Sequence, residues 1–149
     1  MILRLYLPGN PRPAPRARVV ARGQNRAHGY RPKWYVQQSA EWGYQAQGQA
    51  FWQKWEVAHG RCAVKVTFRR ATFHTADIDN LFKAFADALK GIIWGDDAQV
   101  DSAVIYVERG VGQERAGVLA EIWELGSTVD TSPVSYSKKA RFFELGVGL

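Results

Sequence analysis

Residues 61–91 read RCAVKVTFRRATFHTADIDNLFKAFADALKG, and two periodicities meet inside them. From Arg61 to Arg69, Cys62, Val64, Val66 and Phe68 alternate with Ala63, Lys65, Thr67 and Arg69, the two-residue repeat of a β-strand. From Asp79 to Lys90 the repeat becomes helical. At about 100° per residue, Leu81, Phe85, Ala88 and, just beyond, Ile92 share one apolar arc, while Asp79, Lys83, Asp87 and Lys90 project from the other side. Gly91 stands where a helix commonly ends. Cys62, on the apolar strand face, reads as structural.

Outward from this unit, Leu3, Leu5 and Leu7 alternate with Ile2, Arg4 and Tyr6, which predicts a strand over Met1–Leu7. Val100–Glu108 and Gly117–Leu125 read as two more strands, joined as a hairpin through the Gly110–Gly117 turn region. The spacing of Tyr44, Phe51, Trp55 and Ala58 predicts a helix over Ser39–Ala58 with Ser39 as its N-cap. Phe51 and Trp55 are assigned to the core; Trp34 and Trp42 stay open between core packing and stacking on bases. Pro8–Pro32 holds five of the six prolines and Arg12, Arg16, Arg18, Arg22, Arg26 and Arg31, so an extended loop is expected. The expected fold is α+β: a small mixed sheet with two main helices packed on it, one domain over residues 1–149.

The 149 residues are 46% hydrophobic, enough for one core of their own. No apolar run is long enough to span a membrane and no leader pattern is visible, so a cytoplasmic protein is expected. One cysteine permits neither an internal disulfide nor a cysteine-based zinc site. Residues 1–70 carry 13 Lys/Arg against 2 Asp/Glu, a balance of +11; residues 71–149 carry 7 against 12, a balance of −5. The first half would attract a polyanion and the second concentrates carboxylates able to hold divalent cations. A basic surface serving only solubility fits the charge equally well.

The acids are arranged as Asp77-Ile78-Asp79-Asn80-Leu81 with Lys83 one turn on, then Asp87, then Trp94-Gly95-Asp96-Asp97-Ala98-Gln99-Val100. Asp77 and Asp79 fall at a strand-to-helix junction, where two-residue spacing in extended chain would send both carboxylates the same way. Phosphodiester hydrolysis needs an activated water and a counter-charge for the transition state, and Mg²⁺ held by one or two carboxylates supplies both. Lys83 could neutralise charge on phosphoryl oxygens. Alternatively, Asp77 or Asp79 caps a helix and Lys83 with Asp87 is an ordinary surface pair.

Taken together, the Asp77–Lys83 run, Asp87-Ala88-Leu89, Gly91, Trp94 and Asp96–Val100 resemble the signature of the RusA-type Holliday junction resolvases, a family frequent in phages and prophages. Pro13-Ala14-Pro15-Arg16-Ala17-Arg18 resembles that family's Pro/Arg-rich loop, and Tyr30-Arg31-Pro32 its next segment. The similarity spans about residues 1 to 125, leaving 126–149 as a C-terminal extension. It implies a homodimeric endodeoxyribonuclease, phage or prophage encoded, that resolves four-way junctions in recombination and repair by paired nicks with Mg²⁺, for which Mn²⁺ can substitute. Carried across, Asp77, Asp79 and Asp97 would be the metal carboxylates, Lys83 the cation contacting either the catalytic base or the phosphate, and Asp87 a supporting acid. Arg12, Arg16, Arg18, Arg22, Arg69 and Arg70 would contact DNA. The chain departs from the family where several members carry a basic cluster before the first aspartate; here Phe73-His74-Thr75-Ala76 stands there, with Arg69 and Arg70 nearby to compensate.

Two other readings use the same residues: a structure-selective nuclease on flaps, forks or other branched DNA, and a non-catalytic nucleic-acid-binding module. The apolar residues Phe142, Phe143, Leu145 and Val147 of the extension are candidates for covering a dimer interface or the chain's own sheet.

Overall fold

A computed structural model describes residues 1–16, 19–22, 26–29 and 31–126, with 19–22 and 26–29 as backbone only. The extension, with Asp130 and its apolar cluster, lies outside the described residues.

Four strands form one mixed sheet: β1 (Leu3–Pro8), β4 (Cys62–Arg69), β5 (Val100–Glu108) and β6 (Gly117–Glu124), in the order β1-β6-β4-β5. Two helices, α1 (Lys33–Trp52) and α2 (Ile78–Leu89), complete the expected α+β fold. β4 is central and buried along nearly its whole length. It runs parallel to β5 and antiparallel to β6. Parallel neighbours need a crossover, and α2 provides it.

The anticipated hairpin of the last two strands is not formed, because β4 lies between β5 and β6. The Arg109–Ala116 connection instead passes the end of β4 and bonds to the chain leaving it: Gly110 N–H to Thr72 O, Val111 N–H to Arg70 O and Gly112 N–H to Ala71 O. Gly110 is required there. Its φ is +72°, and a Cβ would lie 2.3 Å from the Phe73 ring.

The basic segment is not wholly extended loop either. β2 (Val19–Arg22) and β3 (Arg26–Gly29) pair antiparallel, with Arg22 opposite Arg26. The prolines that argued against regular structure fall at 8, 11, 13, 15 and 32, outside β2 and β3.

α1 begins six residues before the expected start, after Pro32 rather than at Ser39, and it buries a different face. Tyr35, Trp42, Gly43, Ala46 and Ala50 point inward, whereas Tyr44 and Phe51 are 77% and 76% exposed. Phe51 is therefore not core. Small residues let the helices approach: a Cβ on Gly43 would lie 3.0 Å from Ile92 Cδ1. The rest of that inner face is amide. Gln49 bonds both backbone groups of Tyr6 (2.8 and 2.7 Å) and Gln53 both of Arg4 (2.9 and 2.7 Å), so α1 satisfies the outer edge of β1.

Leu3, Leu5, Leu7, Val64, Val66, Phe68, Val118 and Ile122 of the sheet meet Leu81, Phe85 and Leu89 of α2 in one core. Phe85 packs edge-on against Phe68 and Trp94. Cys62 is fully buried, and burial followed by the charges of Glu124 and Asp101 pushes its thiol up to about 11. A protonated, inaccessible thiol is inert, as its place on the strand implied. Among the described residues no helix is long and apolar enough to cross a membrane.

Candidate functional site

The acidic motif straddles the start of α2 rather than lying on extended chain. Asp77 is the residue before the helix, and its carbonyl accepts the first helical bond from Leu81 N–H at 3.0 Å; Asp79 is already in the first turn. Neither acid is consumed as a side-chain cap. Asn80 steadies both: its amide donates to Asp77 Oδ2 (3.3 Å) and its backbone N–H to Asp79 Oδ1 (3.0 Å). The remaining carboxylate oxygens face solvent at the positive end of a helix, where anions are favoured.

Asn80 also anchors the arginine loop. Its carbonyl accepts the Ala14 N–H at 2.9 Å, and Ala14 is buried. Arg12 is tied through both backbone groups to the Gln38 side chain, 2.9 Å each, and its guanidinium lies 3.7 Å above the Trp34 ring. Arg16 reaches within 3.7 Å of Asp77 Oδ2, both side chains largely exposed. Such a pair contributes little and leaves Arg16 free to turn toward a phosphate. Of the other candidate DNA-binding residues, Arg69 pairs with Glu108 at 3.1 Å. Arg70 is 7% exposed and donates to His74 O at 2.8 Å, which props the chain leading into Asp77. Burial, then the neighbouring Arg109, lowers its proton affinity. Arg18 and the Arg22 side chain lie outside the described residues.

Lys83 is exposed, one turn beyond Asp79. Asp87, half-buried two turns on, accepts a hydrogen bond from the Tyr35 hydroxyl at 3.1 Å. Burial and then the Asp87 charge push Tyr35 up to about 12, so it stays a donor.

Asp96 and Asp97 open a short 3-10 turn over Asp97–Gln99 and divide the work between them. Asp96 accepts from Ala98 N–H (3.0 Å), while Gln99 Oε1 accepts from Asp96 N–H (2.8 Å) and Gln99 Nε2 donates to Ala58 O (2.9 Å) and Gly60 O (2.8 Å). Asp96 is a structural clasp. The Ala98 N–H, then the bond from Asp97 and the charge of Lys90, hold its carboxyl below the usual range. Asp97 is raised above it, first by the hydrogen bond with Asp96, then by partial burial and the charges of Asp96 and Asp87.

The structure thus gathers Asp77, Asp79, Asn80 and Arg16 at one end of α2, and Asp87, Asp97 and Tyr35 near the other. The eight residues from Asp79 to Asp87 rise about 12 Å. Among the described residues no three acid, histidine or cysteine side chains converge closely enough to form a ready metal cage. The donors nevertheless fit Mg²⁺ in kind, since that ion uses one or two carboxylates and keeps its waters, and Asp77 and Asp79 are accessible hard-oxygen donors. Asn80 and Tyr35 are the polar residues that sequence reasoning passed over. Asn80 carried a signal, its place inside the acidic motif; Tyr35, on another element, carried none.

Exposed carboxylates at a helix start, a lysine one turn on and an arginine loop bonded to the same turn lie together at the start of α2. The family model of endodeoxyribonuclease RusA matches residues 8–122, and the chain belongs to that family of Holliday-junction-resolving endodeoxyribonucleases. None of the curated proteins matches it.

Proposed function

We propose that this endodeoxyribonuclease resolves four-way DNA junctions by paired nicks, with Asp77, Asp79 and Asp97 as metal carboxylates, and that it works as a homodimer with Mg²⁺, or Mn²⁺ in its place. The observation that carries the reading is the Ala14–Asn80 bond, which joins the arginine loop to the residue steadying both Asp77 and Asp79. DNA gripped by that loop would have its phosphate beside the acids.

Each residue has a task that its chemistry allows. Arg12 and Arg16 bind phosphate oxygens and orient the backbone without reading sequence. Lys83 supplies positive charge for the oxygens that gain negative charge during cleavage. Asp87 is a supporting acid, half-buried and oriented by the Tyr35 hydroxyl. When bound, the ion would supply Lewis acidity to the phosphate and lower the pKa of water. A second subunit would present a second set of acids to the symmetric scissile phosphate. Tyr6 and Tyr106, exposed on the sheet face opposite the helices, offer apolar surface for it.

The test is cleavage of a synthetic four-way junction, with linear duplex and flap controls, by the wild type and Asp79→Asn. Junction-selective paired nicks that need Mg²⁺ and vanish in Asp79→Asn, with DNA affinity kept, are expected. Cutting of every substrate, or none by the wild type, overturns the junction reading; activity retained in the variant overturns the role of Asp79.

A further inference from the structure

We propose that the outer face of α1 is the docking surface for the C-terminal extension of the same chain, with Phe142, Phe143 and Leu145 seated in the groove between α1 and Ile92. The proposal stands apart from the metal reading. α1 lacks the charged outer face of an ordinary surface helix, since Lys33 and Glu41 are its only charges in 20 residues. Val36, Ala40, Tyr44, Gln47 and Phe51, spaced three and four apart, form one solvent-facing stripe instead. Tyr44, Phe51 and the adjoining Trp52 are each more than three-quarters exposed, an apolar patch of the kind that marks a contact surface. Along the stripe runs a groove of about 470 Å³, with Val36, Ala40, Gly43 and Tyr44 as one wall and Ala88 and Ile92 as the other.

The place where the described chain ends favours this occupant. Leu125 N–H bonds Arg61 O at 2.8 Å, and three residues before Arg61 the Ala58 N–H bonds Ile93 O at 2.9 Å. The Trp55 indole donates to the same Ile93 carbonyl at 3.0 Å, so the end of α1, the groove wall at Ile92 and the exit of β6 lie at one end of the fold. Residues 127–141 can span about 50 Å when extended, against about 22 Å for the stripe from Val36 to Phe51. The charges match as well. Arg31 lines the groove and Glu41 stands beside it, both exposed, and among the described residues neither has an opposite charge within 4.0 Å. In the extension Lys138, Lys139 and Arg141 precede the two phenylalanines and Glu144 follows them. A segment entering from the end of α1 and running antiparallel to it brings the basic run toward Glu41, Phe142 and Phe143 over the groove, and Glu144 toward Arg31. The outer sheet face is a poorer seat: Arg4, Glu121 and Lys65 stand in register across β1, β6 and β4, a charged row that an apolar segment would have to desolvate.

Disulfide trapping in the full chain tests this. The native Cys62 is fully buried, so Ala40→Cys with Leu145→Cys supplies the reactive pair, and Ser102→Cys with Leu145→Cys is the control. Ser102 is exposed on β5 and pairs with Ala63 two strands from the exit of β6, so a freely ranging extension reaches it as readily as Ala40. Under mild oxidation the Ala40 pair should close within one chain at least about tenfold faster than the control, because docking raises the effective concentration of the two thiols. Adding Phe142→Asp and Phe143→Asp, which leave the described core untouched, should erase that preference, and Glu41→Lys should reduce it. Equal rates for the two pairs would overturn the proposal, as would a preference indifferent to the two aspartates. A covalent dimer in place of the intrachain crosslink would also overturn it, by assigning the groove to a second copy.

Discussion

The two acidic clusters of the motif are chemically alike and structurally opposite. At the start of α2, Asp77 and Asp79 are held, among the described residues, by Asn80 and the weakly paired Arg16, and they leave carboxylate oxygens open to solvent. In the 94–99 turn, Asp96 and Gln99 spend their polar groups on backbone, closing the loop at Ala58 and Gly60 onto the entry to β5. One cluster is open to solvent and the other holds the fold. Asp97 belongs to neither fully, being an exposed acid mounted on the structural turn and bonded to Asp96. A family signature can therefore combine residues selected for chemistry with residues selected to place them.

The sharpest separation should come from paired variants. Asp77→Asn is expected to lower junction cleavage at least about 100-fold, equivalent to about 2.7 kcal/mol of transition-state stabilisation, with an unchanged melting temperature. Gln99→Leu should do the reverse in kind. It removes three hydrogen bonds at an exposed to half-buried site, a destabilisation of about 2 kcal/mol or roughly 4–8 °C in thermal denaturation, with activity per folded molecule retained at low temperature. If Asp77→Asn melts the protein or Gln99→Leu leaves it untouched, the division of labour is wrong.

A smaller effect tests the docked loop. Replacing Arg12 and Arg16 together by Ala should weaken binding to every DNA shape and reduce the salt dependence of affinity by about 0.9 in log–log slope for each phosphate left without its arginine. An unchanged slope across a salt titration would detach the loop from the backbone.

Much of the frame was legible because the central elements obey a single period each. The sequence bounds of the strand ending at Arg69, of α2 and of β5 agree with the structure to within a residue, although β4, flanked on both sides, is buried on both faces rather than one. α1 was misread for a physical reason. Its inner face mixes Tyr35 and Trp42 with small residues and with glutamines that bond the edge of β1, while Tyr44, Phe51 and Trp52 point out, so hydrophobicity did not mark the core side. Strand order was hidden for another: a connection of eight residues looks like a hairpin loop, and nothing local shows that β4 has come between. At the site, the acids were visible as a spaced motif. Asn80's carbonyl bond to Ala14 and the Tyr35 hydroxyl on Asp87 are tertiary interactions that spacing does not encode.

The smallest expected effect concerns Asp97 and has a definite sign. Its carboxyl is raised in the folded protein, so it contributes stability below its unfolded pKa, and that contribution fades as pH rises through the folded value. At neutral pH the charged group is therefore a burden on the fold, set against Asp96 and Asp87. Asp97→Asn removes that repulsion and can still donate to the Asp96 carboxylate, so the variant should melt slightly higher than wild type near pH 7, by about 2 °C or less. The gain should shrink as the pH falls into the carboxylate range, where wild-type Asp97 takes up its proton. Asp96 has the opposite shift, and Asp96→Ala should lose stability at neutral pH and progressively less in acid. Thermal melts of both variants from pH 4 to pH 8 check the contrast. A destabilised Asp97→Asn at pH 7 would mean that this acid supports the turn, as Asp96 does, and would remove the contrast between the two.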